Sequence, residues 1–410
     1  MNAYILLIGL CVIIIISFFF GLLSKKTNIP SVILLIFMGI GIGQLMRYFD
    51  ITPQYFSTLE ILGIVGLIMI VLEAALDLEL KREKWPIIWK SFVVAFVSLA
   101  ATSFFIALII KFFMDGIELL PAFVYSIPLS IMSSAIIIPS VSSLSKEKRE
   151  FMIYESTFSD ILGIMAFYLL LENLNADSAG QIAFVVSSNI ILTICMSVVL
   201  SYMLLYVIQY VQSEAKLFLF LAVLVLLYSV AKLFHFSSLL IILSFGLLLR
   251  NYKVLLFGKM KDWYKPDAID EVFDNFKMIT IETSFLVRTF FFVVFGMSMS
   301  LSSIVSIWVW LISGSILLGI YVIRYILYKG ILRKDIFPQV FIAPRGLISI
   351  LLFYAIPEDF QLPDFESGVL LVIIIVTSII MAWSLIANPF SSIKKALEEE
   401  VSEIIHKSKE

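Results

Sequence analysis

The chain has 410 residues, of which 61% are apolar and 15% charged, whereas soluble domains run about 45–50% apolar and about 25% charged. A mean hydropathy of +1.05 marks an integral membrane protein, and 29 basic against 31 acidic residues leave no overall basic surface for nucleic acid. The two cysteines, Cys11 and Cys195, lie in apolar runs, and His235 and His406 stand alone. A disulfide framework, a zinc ribbon and a metallohydrolase motif are thereby excluded.

A bilayer span needs about 20 mostly apolar residues. Windows of that size predict thirteen transmembrane helices, at 4–23, 30–48, 57–77, 87–111, 119–144, 150–172, 181–210, 216–233, 236–250, 278–300, 304–328, 336–356 and 367–389. The first has no basic leader and no small-residue cleavage site, and Lys25 and Lys26 follow it. That is the pattern of a retained anchor with its N-terminus outside. Connections after odd-numbered spans carry 23 of the 29 Lys and Arg residues, against Arg47, Lys111 and Lys232 on the other side. The positive-inside rule places those connections and the C-terminus in the cytoplasm, as in a multi-pass plasma-membrane protein. The predicted fold class is an all-α integral membrane protein. Residues 251–277 mix charges with Trp263, Tyr264, Ile269 and Phe273 and read as an amphipathic interfacial helix. The tail 391–410 is short and charged, and neither segment is large enough to hold a catalytic core.

Charges left inside the spans carry the functional information. A mid-bilayer charge costs at least ~2.5–3.5 kcal/mol on insertion scales. Arg288, Arg324 and Arg345 are the basic cases, and Glu73, Asp77, Glu155, Asp160 and Glu282 the acidic ones. In span three, Glu73 sits one turn deeper than Asp77 on the same face. It either lines a cytoplasmic funnel or snorkels to the boundary.

Span five carries Pro128 and Pro139 on either side of Ser133 and Ser134. Span six holds Tyr154-Glu155-Ser156-Thr157-Phe158-Ser159-Asp160. On a helix, Ser156 and Asp160 share one face, while Glu155 and Ser159 share another, turned about 100° away. The first pair offers the oxygens a hard cation takes; the bland reading is hydrogen-bond glue between helices.

In span ten, Glu282 and Arg288 are six residues apart, on different faces, and either line the opposite wall or brace a dimer contact. Span twelve carries Pro344-Arg345-Gly346 at its middle. Proline removes a helix donor and glycine lets the backbone relax, so Pro139, Pro344 and Gly346 are predicted breaks. Broken helices are tolerated at membrane depth only where they are buried or line a cavity. Two interrupted spans in opposite orientation point to inverted repeats with the binding site between them. Arg345 cannot lose its proton, and Glu155 is its first expected partner, as a structural ion pair.

These residues carry a family likeness. Over essentially its whole length the chain resembles the monovalent cation/proton antiporter superfamily, and most of all the sodium/proton exchanger branch. There the span-six pattern reads Glu-Ser-x-x-Asn-Asp. The resemblance implies that Asp160 binds cation and proton in alternation, that Ser156 adds an oxygen and that Glu155 pairs with Arg345. It implies further that Glu73 lies near the ion site, with Ser133, Ser134 and Ser159 among the candidate ligands. Its fold implies a 1–390 transmembrane domain, with scaffold helices at 1–77 and 216–300 that form a homodimer, core helices at 87–172 and 304–389, and a linker at 181–210. Ser159 stands where the family has Asn or Asp. The run Ser133-Ser134-Ala135-Ile136-Ile137 lacks the Thr-Asp of many sodium-selective members and looks closer to the potassium-efflux side.

The expected activity is electroneutral exchange of Na+ for H+ by alternating access, with K+ as the alternative cation and no cofactor required. A passive channel would use a filter loop such as TVGYG. An intramembrane hydrolase would need a nucleophile with its base. Neither pattern is visible in the sequence.

Overall fold

The computed structural model describes residues 3–27, 29–49, 55–114, 116–173, 192, 195–207, 209–210, 216–233, 238–255, 266–299, 305–332, 336–362 and 365–387. The first part of the predicted span at 181–210, His235, His406 and the tail 391–410 lie outside these residues.

The described elements are helical, as lipid demands of a chain with no water to satisfy its backbone. In order they are α1 (Ala3–Thr27), α2 (Ser31–Tyr48), α3 (Tyr55–Asp77), α4 (Trp85–Phe113), α5 (Leu119–Ser130), α6 (Ser134–Ser140) and α7 (Lys146–Asn173). There follow α8 (Cys195–Val207), α9 (Lys216–Leu233), α10 (Ser238–Leu255), α11 (Pro266–Ser298), α12 (Ile307–Ile331), α13 (Leu347–Tyr354) and α14 (Gly368–Ala387). Among the described residues, eight helical stretches are long and apolar enough to cross a membrane. Of the expected interfacial helix at 251–277, residues 256–265 lie outside the described residues. Its first residues end α10, and residues from Pro266 onward begin the 33-residue α11.

The chain divides into two compact units, Met1–Pro53 with Ile87–Asp160 and Phe292–Glu410, and Gln54–Pro86 with Ile161–Phe291. In the first, α14 is buried along Val369–Ile374, whereas α1 exposes Tyr4, Leu7, Ile8, Phe18 and Phe19, as suits a helix whose solvent is lipid. Small residues bring α2 against the end of α11: a Cβ on Gly43 would lie 2.7 Å from the Met297 carbonyl oxygen. Arg47 then caps that end of α11 by donating to the Met299 carbonyl at 2.7 Å.

Two interruptions define this unit. Residues 131–133 are non-helical between α5 and α6, and residues 342–346 are non-helical before α13. The first break falls after Pro128, which sits in the last turn of α5. Pro139, expected at a break, lies inside α6. It comes just before the chain tightens into a 3-10 turn over Val141–Ser143. Pro344 and Gly346 lie in the second interruption, as expected.

In the second unit, α3 packs on α10 and α10 on α9. Gly246 allows the approach, since a Cβ there would lie 2.6 Å from the Ala75 Cβ. Asn251 leaves helical geometry (φ −113°, ψ 22°) and satisfies the end of α3. Its Oδ1 accepts from the Leu80 amide at 2.6 Å and its Nδ2 donates to the Leu78 carbonyl at 2.8 Å.

Candidate ion-binding site

Unwound backbone at membrane depth must find partners for its free N–H and C=O groups. Here the two interruptions satisfy each other and draw functional side chains to them. The Ser133 amide donates to the Pro344 carbonyl at 2.9 Å, which joins the two breaks directly. A Cβ on Gly346 would clash with the Ser133 side chain, so glycine is required by the close approach.

From α7, Ser159 Oγ accepts the Met132 amide at 2.9 Å, and Asp160 Oδ2 accepts the Ser134 amide at 3.1 Å. Asp160 is 3% exposed, and its second oxygen, Oδ1, has no hydrogen-bond partner. Ser156 is fully buried one turn before it and donates to the Ile153 carbonyl, leaving the lone pairs of its oxygen open. Asp160, Ser159, Ser133, Ser134, Pro344 and Gly346 are thus brought to one place.

Glu155 does not pair with Arg345. Its partner is Arg324 on α12, with Nη1 at 2.8 Å from Oε1. The other Glu155 oxygen contacts the hydroxyl of Tyr328, one turn along α12, and Arg324 Nη2 donates to that hydroxyl at 2.6 Å. Arg324 also donates to the carbonyls of Gln339, Val340 and Ile342, leading into the second break. Arg345 instead holds backbone. Its Nε donates to Leu129 O at 2.9 Å, in the last turn of α5, and its Nη1 to Ala343 O at 2.8 Å, while its amide donates to Thr377 Oγ1. The physical reason is local. An arginine at a break lies among unpaired carbonyls and the negative end of a helix, which together replace a carboxylate. Arg324 stood out in the sequence only as an unassigned intramembrane charge. The i,i+4 spacing of Arg324 and Tyr328 was the signal that could have found the brace.

The remaining predicted residues belong to the second unit. Glu73 faces Arg288 at 3.8 Å, and Asp77, one turn on, meets Lys277 at 2.6 Å. Glu282 is exposed, and Arg288 has found its carboxylate on α3, not on its own helix. Among the described residues no group of three or more His, Cys, Asp or Glu side chains is placed to hold a resident metal.

Glu155 and Asp160 therefore differ in kind. Glu155 has both oxygens occupied by α12, whereas Asp160 keeps one buried oxygen open beside backbone that has left the helix. A broken-helix membrane site with one available carboxylate is the arrangement of a secondary ion transporter. The sequence profile described as "Sodium/hydrogen exchanger, transmembrane" matches residues 14–387, and the chain belongs to that family of cation/proton antiporters. It is a multi-pass membrane transporter and not an enzyme.

Among solved structures, the fold is similar to that of the sodium proton antiporter MjNhaP1 from Methanocaldococcus jannaschii at pH 8. The TM-score is 0.72 at 18% identity, over 93% of this chain and 97% of that one. An electron-microscopy structure of the same antiporter gives a TM-score of 0.68 at 19% identity, over 97% and 98% of the two chains. No curated protein sequence matches this chain.

Proposed function

We propose that this chain exchanges Na+ for H+, one for one, by alternating access at Asp160, with K+ as the alternative cation. The observation that carries this reading is the open Oδ1 of a carboxylate buried to 3%. A bare, unpartnered carboxylate oxygen in a dry site is costly. A proton or a cation removes that cost, and both need the same oxygen, so they compete. Ser156 Oγ, one turn away on the same face, supports cation coordination because hard cations take oxygen ligands.

The stoichiometry follows from the charges. Glu155 and Arg324 neutralise each other, and Arg345 keeps its charge throughout. The site then carries the same net charge with one proton as with one monovalent cation. A membrane potential, worth ~2.3 kcal/mol per charge per 100 mV, has no difference to act upon. The same reading includes thirteen spans in inverted repeats, an outside N-terminus and cytoplasmic C-terminus in the plasma membrane, and a homodimer. In it, core helices at 87–172 and 304–389 move while scaffold helices at 1–77 and 216–300 hold the dimer. Membership of the exchanger family supports it.

The test is proton flux in sealed proteoliposomes on addition of Na+, K+ or Li+ in turn, repeated with the membrane potential clamped. Flux driven by Na+ with a reversal point independent of potential is the expected result. Flux driven by K+ alone would select the alternative cation. A reversal point that moves with potential would exclude one-for-one exchange.

A further inference from the structure

We propose that Tyr328 is a positioning residue for cation binding, acting through the Glu155–Arg324 pair. This inference rests on the exchange reading above. Tyr328 is fully buried on α12, and its hydroxyl is the junction of the brace. It accepts from Arg324 Nη2 at 2.6 Å and donates to the Glu155 oxygen that Arg324 Nη1 does not reach. Without that hydroxyl, one Glu155 oxygen is left buried and unpartnered, and Arg324 Nη2 keeps only the Gln339 and Ile342 carbonyls, each at 3.2 Å.

The consequence reaches the ion site along α7. Two of the holds on that helix tie it to the breaks. Near its middle, Ser159 and Asp160 grip the first break at the amides of Met132 and Ser134. One turn earlier, Glu155 grips Arg324, which in turn holds the carbonyls before the second break. The two breaks are themselves joined by the bond from Ser133 to Pro344. Rotation or sliding of α7 about Asp160 is thus opposed by the Glu155 grip. Tyr328 fixes the orientation of that carboxylate, since a single arginine contact on one oxygen leaves it free to swivel. The Tyr328 hydroxyl therefore sets where Asp160 Oδ1 and Ser156 Oγ stand before the cation arrives.

Preorganisation of this kind enters affinity, and the Glu155–Arg324 pair survives its loss. Tyr328→Phe is expected to raise the cation concentration for half-maximal exchange about tenfold while the maximal rate stays within twofold. A tenfold change corresponds to about 1.4 kcal/mol, within the span for a hydrogen bond to a charged group. A purely structural role gives the opposite pattern, a lower maximal rate from fewer folded molecules with unchanged affinity.

The experiment uses the whole protein in proteoliposomes and whichever of Na+, K+ and Li+ drives wild-type proton flux. Wild type, Tyr328→Phe and Tyr325→Phe are compared, Tyr325 being an exposed residue of the same helix outside the brace. Glu155→Gln is measured in parallel, as the other end of the contact. A raised half-saturation constant in Tyr328→Phe, shared by Glu155→Gln and absent from Tyr325→Phe, supports the proposal. Unchanged affinity in Tyr328→Phe overturns it. Should that variant not fold, unchanged affinity in Glu155→Gln overturns it equally, because Tyr328 acts only through Glu155. Absence of cation-driven flux in wild type would instead reject the exchange reading itself.

Discussion

Arg324 and Glu155 meet at 2.8 Å, each no more than 3% exposed at the side chain, and tie α12 to α7 in the interior of one unit. The second buried arginine of that unit, Arg345, meets carbonyl oxygens and no carboxylate among the described residues. One arginine neutralises an acid. The other caps the ends of interrupted helices.

Truncating either member of the buried pair leaves an uncompensated charge, which costs roughly 3–5 kcal/mol. Glu155→Ala and Arg324→Ala should each lower the melting temperature in detergent. Their double-mutant cycle should show coupling well above the ~0.5 kcal/mol of independent sites. The Glu155/Arg345 cycle should stay near additivity. Stronger coupling of Glu155 to Arg345 than to Arg324 would contradict the brace.

Gly346 is packed against Ser133, whose amide is already committed to Pro344. Gly346→Ala must push the two breaks apart, and overpacking of this kind costs about 1–3 kcal/mol. The expected outcome is a lower melting temperature together with reduced exchange. Gly314 on α12 has open space around it, so Gly314→Ala should leave stability unchanged or raise it by up to about 1 kcal/mol. Equal effects of the two substitutions would remove the close approach as the reason for glycine.

Much of this was legible from residue order. The run Glu155 to Asp160 and the Pro344-Arg345-Gly346 break could be read because helical spacing and proline chemistry are local properties. The partner of Glu155 was not legible. Two arginines of equal chemistry stand in neighbouring spans, both bond backbone carbonyls, and only Arg324 also reaches the Glu155 carboxylate. Those carbonyls appear only when Leu129 and Ala343 are brought to Arg345 in three dimensions. The break of span five falls between Pro128 and Pro139, as the sequence suggests, but not at Pro139 itself. Pro139 reads as a breaker in the sequence, yet it lies inside α6, and the interruption falls at 131–133. From sequence Glu73 reads as funnel or snorkel, because Arg288 lies over 200 residues away along the chain.

The connection after α3 supplies a pH-dependent check outside the spans. Burial pushes the Glu79 carboxyl up, but the hydrogen bond from Lys81 and the charges of Arg250, Lys81 and Lys84 outweigh it and hold the group below its ordinary 4.5. A depressed carboxylate contributes stability above its unfolded value and loses it as pH falls through the folded one. Glu79→Gln should therefore lower the melting temperature slightly at neutral pH, by no more than the ~0–1 kcal/mol of a partly exposed ion pair. The difference from wild type should vanish as pH falls below 4.5. A difference that persists undiminished at acid pH would mean that Glu79 acts through packing and not through charge.

Cation/proton exchange at a single open carboxylate is tested most directly by Asp160→Asn in proteoliposomes. Asparagine keeps the size of the side chain and an oxygen that can accept the Ser134 amide, but it binds no exchangeable proton and offers no charge to a cation. The expected result is a protein with wild-type melting behaviour and no proton flux on addition of Na+, K+ or Li+. Near-native flux from a folded Asp160→Asn protein would contradict the account.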